Sequence, residues 1–388
     1  MAYENNHYVP QFILRQFGDY LNVYNVKDRS LHSGMRTSSI FSERKIYPAD
    51  LEKTIGYNLE SPFAKLFHEK LMSGKCGEKI ILSRKEIMLM KRFFLLETIR
   101  VSSMLEITKQ EKTISEIYAS LFPSFRENII PGETASDRWH RNIKVVVESE
   151  ELSHLSEHPL CTLELLKWDY IFRSGYFAIW DCAESGVDFL ISDIGMTSEV
   201  EPSKLTDGYE HTKIDELHKI INRELNPYKK DVYNSILSVQ NLFHENFYMF
   251  PLSKNRMIVT VNPFFRLYDR KEKLIKPAGV WPTKITDKRL FEKNESPKVT
   301  VIMGKPVYKE TDEFRYTIQR VKAEDAEYIN MLMLDRIDTY MGYSNWTKIE
   351  TSVKRYIDFY NEINMKPPVN YAPLTEKANY YRQKSALD

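Results

Sequence analysis

The side chains best suited to chemistry stand close together near the N-terminus, in the run His7-Tyr8-Val9-Pro10-Gln11-Phe12-Ile13-Leu14-Arg15-Gln16-Phe17. An imidazole, whose ordinary pKa is about 6.5, can act as a general base or as a neutral metal ligand. The Tyr8 phenol and the Arg15 guanidinium could supply a hydrogen bond and a positive charge to an anionic group. The same residues also allow a structural reading. In it His7 tethers the N-terminal segment through hydrogen bonds, and Arg15 pairs with a carboxylate at the edge of the core.

Two other groupings carry weaker signals. Glu151, His154 and His158 fall at i, i+3 and i+7, one face of a helix and a spacing that can bind a metal. That segment is polar, ends at Pro159 and lacks the His-Glu-x-x-His order, which favours a solvated acidic face. Between Arg270 and Arg289 the basic residues Lys271, Lys273, Lys276, Lys284 and Lys288 surround Trp281. Cations interleaved with an aromatic can follow a phosphate backbone and stack on a base, although a lysine-rich loop is more often only solvated. Arg138, Trp139, His140, Arg141 and Lys144 form a smaller version of the same pattern.

Elements must hold these groups in place. Pro10 suits the first turn of a helix and pushes the preceding residue towards extended backbone, so His7 and Tyr8 lie just outside a helix start. Phe12, Ile13, Leu14 and Phe17 then cover one side of a short helix. Residues 20–26 alternate as a strand, and a turn at 27–29 with a return over 30–35 predicts a hairpin. Leu51, Ile55, Leu59, Phe63, Phe67 and Leu71 keep helical spacing until Ser73-Gly74. Ser83-Arg-Lys-Glu86 reads as a capping box for a long helix reaching about Leu121. Residues 176–180, 187–191, 248–252, 257–261, 298–303 and 314–321 read as strands, 214–241 and 160–168 as helical, 324–341 and 347–363 as late helices, and the tail after Pro367-Pro368 shows no periodicity. The expected fold is α+β, predominantly helical, with a small N-terminal hairpin and a central cluster of short, mostly antiparallel strands. The poorer pattern near residue 150 divides the chain into an N-terminal hairpin and helical region, 1–150, and a mixed region, 151–388, packed as one unit.

The opening run resembles the N-terminal signature of the bacterial domain of unknown function 4238 family. Three later segments are similar to that family's layout. They are Phe93 to Arg100, a helix carrying an arginine; Asp188-Phe-Leu-Ile-Ser-Asp193, a strand ending in Ser-Asp; and Tyr328-Ile-Asn330, a late helix with an asparagine. The family's Ser-Asp pair is followed within two residues by proline, where this chain has Ile194, Gly195 and Met196. The resemblance implies that Asp193 and Asn330 could join His7 as a carboxylate and an amide, with Tyr8, Arg15 and Arg100 facing the substrate. Such a set would suit one divalent metal ion, such as Mg²⁺, in phosphodiester hydrolysis by a toxic or antiviral defence nuclease. Lys273 and Trp281 would then contact nucleic acid. The alternative is a non-enzymatic protein that binds a ligand or partner and whose signature residues are structural.

Composition narrows the choice. Fifty-five basic against 54 acidic residues leave a formal charge of +1, so any contact with a polyanion must be local. Aromatic content of 13% argues for a packed core rather than disorder. Three cysteines without a Cys-x-x-Cys pair suggest a reduced compartment, and with no basic-then-apolar leader or membrane-length apolar run a soluble cytoplasmic protein is expected. Phosphate-binding loops, dinucleotide fingerprints, nucleophile elbows and kinase motifs do not occur.

Overall fold

The computed structural model describes residues 5–44, 46–100, 113–115, 130–149, 165, 175–200, 245–261, 285–291, 298, 300–302 and 305–385. In chain order the strands are β1 (Asn5–His7), β2 (Tyr20–Asn25), β3 (Ser30–Arg36), β4 (Ser42–Arg44), β5 (Lys79–Ser83), β6 (Tyr176–Asp181), β7 (Ile191–Ser192), β8 (Thr197–Val200), β9 (Glu245–Pro251), β10 (Arg256–Val261), β11 (Thr300–Ile302), β12 (Lys305–Val307), β13 (Glu313–Arg320) and β14 (Tyr340–Tyr343). The α-helices are α1 (Gln11–Leu14), α2 (Ala49–Ile55), α3 (Ser61–Leu66), α4 (Arg84–Ile99), α5 (Ala135–Glu148), α6 (Ala323–Leu334), α7 (Glu350–Glu362) and α8 (Ala372–Ser385).

A six-stranded sheet runs in the order β5-β13-β6-β10-β9-β8 and a four-stranded sheet in the order β3-β2-β14-β7. The larger sheet is mixed, because β13 pairs with β6 in parallel while its other pairings are antiparallel. Every residue of β6 is buried. Its alternation sends Phe177 and Ile179 into one apolar core and Ala178 and Trp180 into another, so the sheet separates the two. The first core receives α1 to α5, and the second receives α6 to α8. Both sheets draw strands from either side of residue 150.

The expectation of a predominantly helical protein is corrected by the six-stranded mixed sheet. So is the expectation of a separate N-terminal hairpin: β2 pairs with β3 on one edge and with β14 on the other, which makes both strands part of the four-stranded sheet. Two sheet members, β5 and β14, depart from the expectation. β5 precedes the capping box at Ser83 and finds its partner, β13, only far along the chain. β14 lies where the late helix was expected to continue, but α6 stops at Leu334. Its Gly342 allows the close approach of Ile191, whose Cγ2 would stand 2.9 Å from a Cβ there. Residues 187–190 are not a strand, and the tail after the two prolines forms α8.

The segment from α2 to Leu71 carries its apolar residues at every fourth position: Leu51, Ile55, Leu59, Phe63, Phe67 and Leu71 are all buried. An α-helix has about 3.6 residues per turn, so a strict four-residue repeat would drift roughly 40° per step and wind off one face. Two wider π turns, Gly56–Glu60 and Phe67–Leu71, interrupt the helix and take up that drift. The stripe therefore stays on the core.

The capping box at Ser83 is formed in both directions, with Glu86 N–H donating to Ser83 Oγ at 3.2 Å and Ser83 N–H to Glu86 Oε2 at 2.7 Å. The helix ends at Ile99 rather than near Leu121, with the Arg100 N–H donating to the Leu96 carbonyl at 3.0 Å.

Candidate functional site

β1 pairs with β4, opposing His7 to Ser42, and the Tyr8 N–H donates to the Phe41 carbonyl at 3.1 Å. Extended backbone sends adjacent side chains to opposite sides. His7 consequently turns towards Glu60 and Arg100, whereas Tyr8 turns towards Asp193 and Tyr340. The helix that follows is anchored by Phe12, whose ring centroid lies 5.2 Å from Phe67 and 6.0 Å from both Phe63 and Phe93. Ile13, Leu14 and Phe17 are buried around it.

On the His7 side a polar cluster is assembled from separate elements. The Arg15 guanidinium donates to Gln11 Oε1 at 3.1 Å, and the Gln11 amide lies 2.8 Å from His7 Nε2. With its oxygen taken by Arg15, that amide donates to Nε2, which places the ring proton on Nδ1. Burial holds the His7 imidazole below its ordinary pKa, and the Arg100 charge works in the same direction, against a favourable contact from the Ile40 backbone. The ring is neutral at pH 7 with its lone pair on Nε2.

Behind His7 lies the Arg100 guanidinium, 1% exposed, donating to Glu60 at 2.5 Å and Glu97 at 2.7 Å. Loss of hydration at the buried Glu97 outweighs the attraction of Arg100 and lifts its carboxyl to about 7. Arg100 itself is held firmly in its charged form by the two carboxylates. Glu52 and the Tyr47 phenol share the field of this group, and burial raises both. Gly195, at φ +72°, brings the turn after Asp193 against the cluster: a Cβ there would lie 3.2 Å from Val9 and 3.9 Å from Glu97 Oε2. His7 thus lies in the field of Arg100 and Glu60, and Glu97 binds Arg100 from another side.

The other proposed site residues stand elsewhere. Asn330 is fully buried, and its Oδ1 accepts from the Leu190 N–H at 3.1 Å while its Nδ2 donates to the Asp188 carbonyl at 2.9 Å and to Ser352 Oγ at 3.1 Å. It serves residues 188–190 as the neighbouring strand they lack. Asp193, also fully buried, accepts from the Thr339 N–H at 2.9 Å and faces Tyr8. The cluster thus joins His7, Arg15 and Arg100 and leaves Tyr8, Asp193 and Asn330 on the far side of the signature. Lys273, Trp281, Glu151, His154 and His158 lie outside the described residues, as do most of the basic run and the expected helices at 160–168 and 214–241. No group of three or more His, Cys, Asp or Glu placed to hold a metal occurs among the described residues. Among the described residues, the carboxylates of this cluster, Glu60 and Glu97, are paired with Arg100.

Sequence reasoning missed Gln11, Tyr47, Glu52, Glu60 and Glu97. Gln11 sits at i+4 from His7 within the signature, and Glu97 interrupts the apolar run Phe93-Phe94-Leu95-Leu96, a sign of a buried partner. Glu60, 40 positions before Arg100, left no such trace.

A separate cleft of about 360 Å³ is lined by Cys76, Asp181, Ser253 and Arg256 among others. Arg256 is fully engaged there, donating to Asp181 and to the carbonyls of Leu71, Ser73 and Gly74. It caps the end of the π-interrupted helix, and burial raises the Cys76 thiol, so Arg256 is already engaged and Cys76 is not an activated nucleophile.

Fold and site together define an α+β protein with a mixed sheet and a His–Glu–Arg cluster whose Glu97 and Arg100 are buried. A family model described as protein of unknown function (DUF4238) matches residues 5–341, and the chain belongs to that family. No match was found among curated proteins or among solved structures. No described helix is long and apolar enough to cross a membrane.

Proposed function

We propose that the chain is a phosphodiester hydrolase acting on nucleic acid, with its working site on the His7 face of the signature. One observation carries this reading: a neutral, partly exposed imidazole is held by Gln11 between the exposed Arg15 cation and the buried Glu97–Arg100 pair. Arg15 forms no ion pair among the described residues, so its guanidinium can meet a phosphate oxygen. In the reaction the attacking hydroxyl takes the place of the Gln11 amide at His7 Nε2, whose lone pair accepts its proton as the new O–P bond forms. The proton then passes to the departing oxygen as the old O–P bond breaks. Arg100 and Glu60 position the ring from behind.

Comparison of the wild type with His7→Gln and Arg15→Ala on single-stranded RNA and DNA, with Mg²⁺, Mn²⁺ or chelator, tests this reading. Cleavage should fall roughly 10²–10⁴-fold in His7→Gln. Arg15 is exposed, so Arg15→Ala should lose activity while keeping the Tm of the wild type. Absence of cleavage by the wild type in every condition would overturn the proposal.

A second reading, a non-enzymatic ligand- or partner-binding protein, is favoured by the burial of Tyr8, Val9, Ile13, Leu14 and Phe17, which explains half of the signature by packing alone. On that reading His7→Gln lowers the Tm and changes nothing else.

A further inference from the structure

His7, Gln11 and Arg15 stand at a spacing of four, and their side chains touch in that order, although His7 ends β1 while Gln11 opens α1 and Arg15 closes it. The Arg15 N–H donates to the Gln11 carbonyl at 3.0 Å, and the Arg15 guanidinium folds back over the same turn to donate to Gln11 Oε1. An amide has one oxygen and one NH2 group, so whatever engages the oxygen decides what the NH2 faces. Here the NH2 faces the lone pair of the His7 ring at 2.8 Å.

The two hydrogen bonds are held unequally. The Gln11–His7 contact is half-buried, whereas the Arg15–Gln11 contact is exposed and spends a cation on a neutral acceptor. An oxygen anion is the stronger acceptor, and a phosphate can take two guanidinium N–H groups at once. The other charged groups that face the ring are Arg100, at the end of α4, and Glu60, in the π turn, and these are bound to each other at 2.5 Å. From the remaining sides Ile40 presents its backbone and β4 opposes His7 with the uncharged Ser42.

We propose that Gln11 is a positioning residue that couples Arg15 to His7: while Arg15 holds its oxygen the amide caps the His7 lone pair, and a phosphodiester that draws Arg15 away releases the cap. The coupling rests on the hydrolase reading of the same face. In the reaction the released amide gives way to the attacking hydroxyl, so the base is uncovered only when the phosphate to be cut is already bound. With no hydroxyl present the released amide turns over, and its Oε1 accepts from the protonated Nε2. A donor at Nε2 favours the neutral ring and an acceptor favours the imidazolium, so release raises the pH at which His7 titrates.

Imidazole NMR of the full chain, with the His7 signal identified by its loss in His7→Gln, tests the coupling. The probe is dimethyl phosphate, a phosphodiester anion whose charge does not change near neutral pH. In the wild type the His7 titration should move to higher pH when dimethyl phosphate is added, and in Arg15→Ala that response should be lost. A change of charge near the ring also acts on it directly, without Gln11, and a double-mutant cycle separates the two effects. Arg15→Ala should raise the His7 titration point further when Gln11 is present than when it is replaced in Gln11→Leu. Equal shifts in the two backgrounds overturn the coupling, as does a wild-type titration that ignores dimethyl phosphate. None of these measurements needs turnover. A Gln11-dependent response to the anion in a protein that cuts neither RNA nor DNA keeps the coupling and removes the hydrolase, whereas cleavage accompanied by equal shifts keeps the hydrolase and removes the coupling.

Discussion

Glu97 and His7 respond to pH in opposite directions, because burial opposes charge on a carboxylate and on an imidazolium alike. Glu97 has a folded-state pKa of about 7 against an ordinary 4.5. Between these values the native state holds a proton that the unfolded chain releases, so this group's contribution to stability is present at low pH and lost as pH rises towards 7. His7 is lowered from 6.5, so the unfolded chain binds the extra proton and stability falls on acidification below that value. Thermal unfolding from about pH 5 to pH 8 should separate the two. Glu97→Gln, which keeps an oxygen for Arg100 to donate to, should remove the loss of stability between about pH 5 and pH 7 and leave the acid-side fall in place. An unchanged profile would mean that Glu97 is ionised throughout. The signature's chemistry was legible in residue types alone, as His7 and Arg15 show. The partners were not, because Glu60 and Tyr47 come from a helix and loop with no sequence link to Arg100.

At the scale of elements, the π turn at Gly56–Glu60 sets which side chains face the site. Inserting one alanine after Asn58, into a turn that is already widened, would rotate Leu51 and Ile55 by about 100° relative to Phe63. Both are buried, so losing their contacts should cost roughly 3–6 kcal/mol in chemical denaturation, accompanied by loss of any activity at His7. Unaltered stability would show that the helix ends adjust and that the turn does not fix the register. The apolar repeat was visible in the sequence, and read as ordinary helical spacing it concealed the wider turns. The helix start at Ser83 was equally plain, since its capping box is a local exchange of hydrogen bonds. Its end at Ile99 was not: the apolar pattern continues, and the stop coincides with burial of Arg100 between Glu60 and Glu97.

Across the whole molecule, the two sheets tie the ends of the chain together. Gly342 is where the closest approach falls: Ile191 Cγ2 would lie 2.9 Å and Phe41 Cζ 3.3 Å from a Cβ at that position. Gly342→Ala should therefore force β14 away from β7 and lower stability by about 1–3 kcal/mol, with faster hydrogen exchange in β2, β14 and β7 than in the six-stranded sheet. Uniform exchange in both sheets would show that they do not open separately. By itself the sequence determined the strands whose buried runs are strongly β-forming, such as Tyr176–Asp181 and Arg256–Val261, the cap at Ser83 and the apolar anchor of the signature, because periodicity, propensity and capping act over a few neighbouring residues. Only the tertiary structure decided that β5 and β14 are strands, that Asn330 stands in for a missing one, and that His7 meets Arg100 while Tyr8 meets Asp193. A short strand is defined by a hydrogen-bonded partner, and a buried charge by the opposite charge beside it; here both partners come from distant parts of the chain.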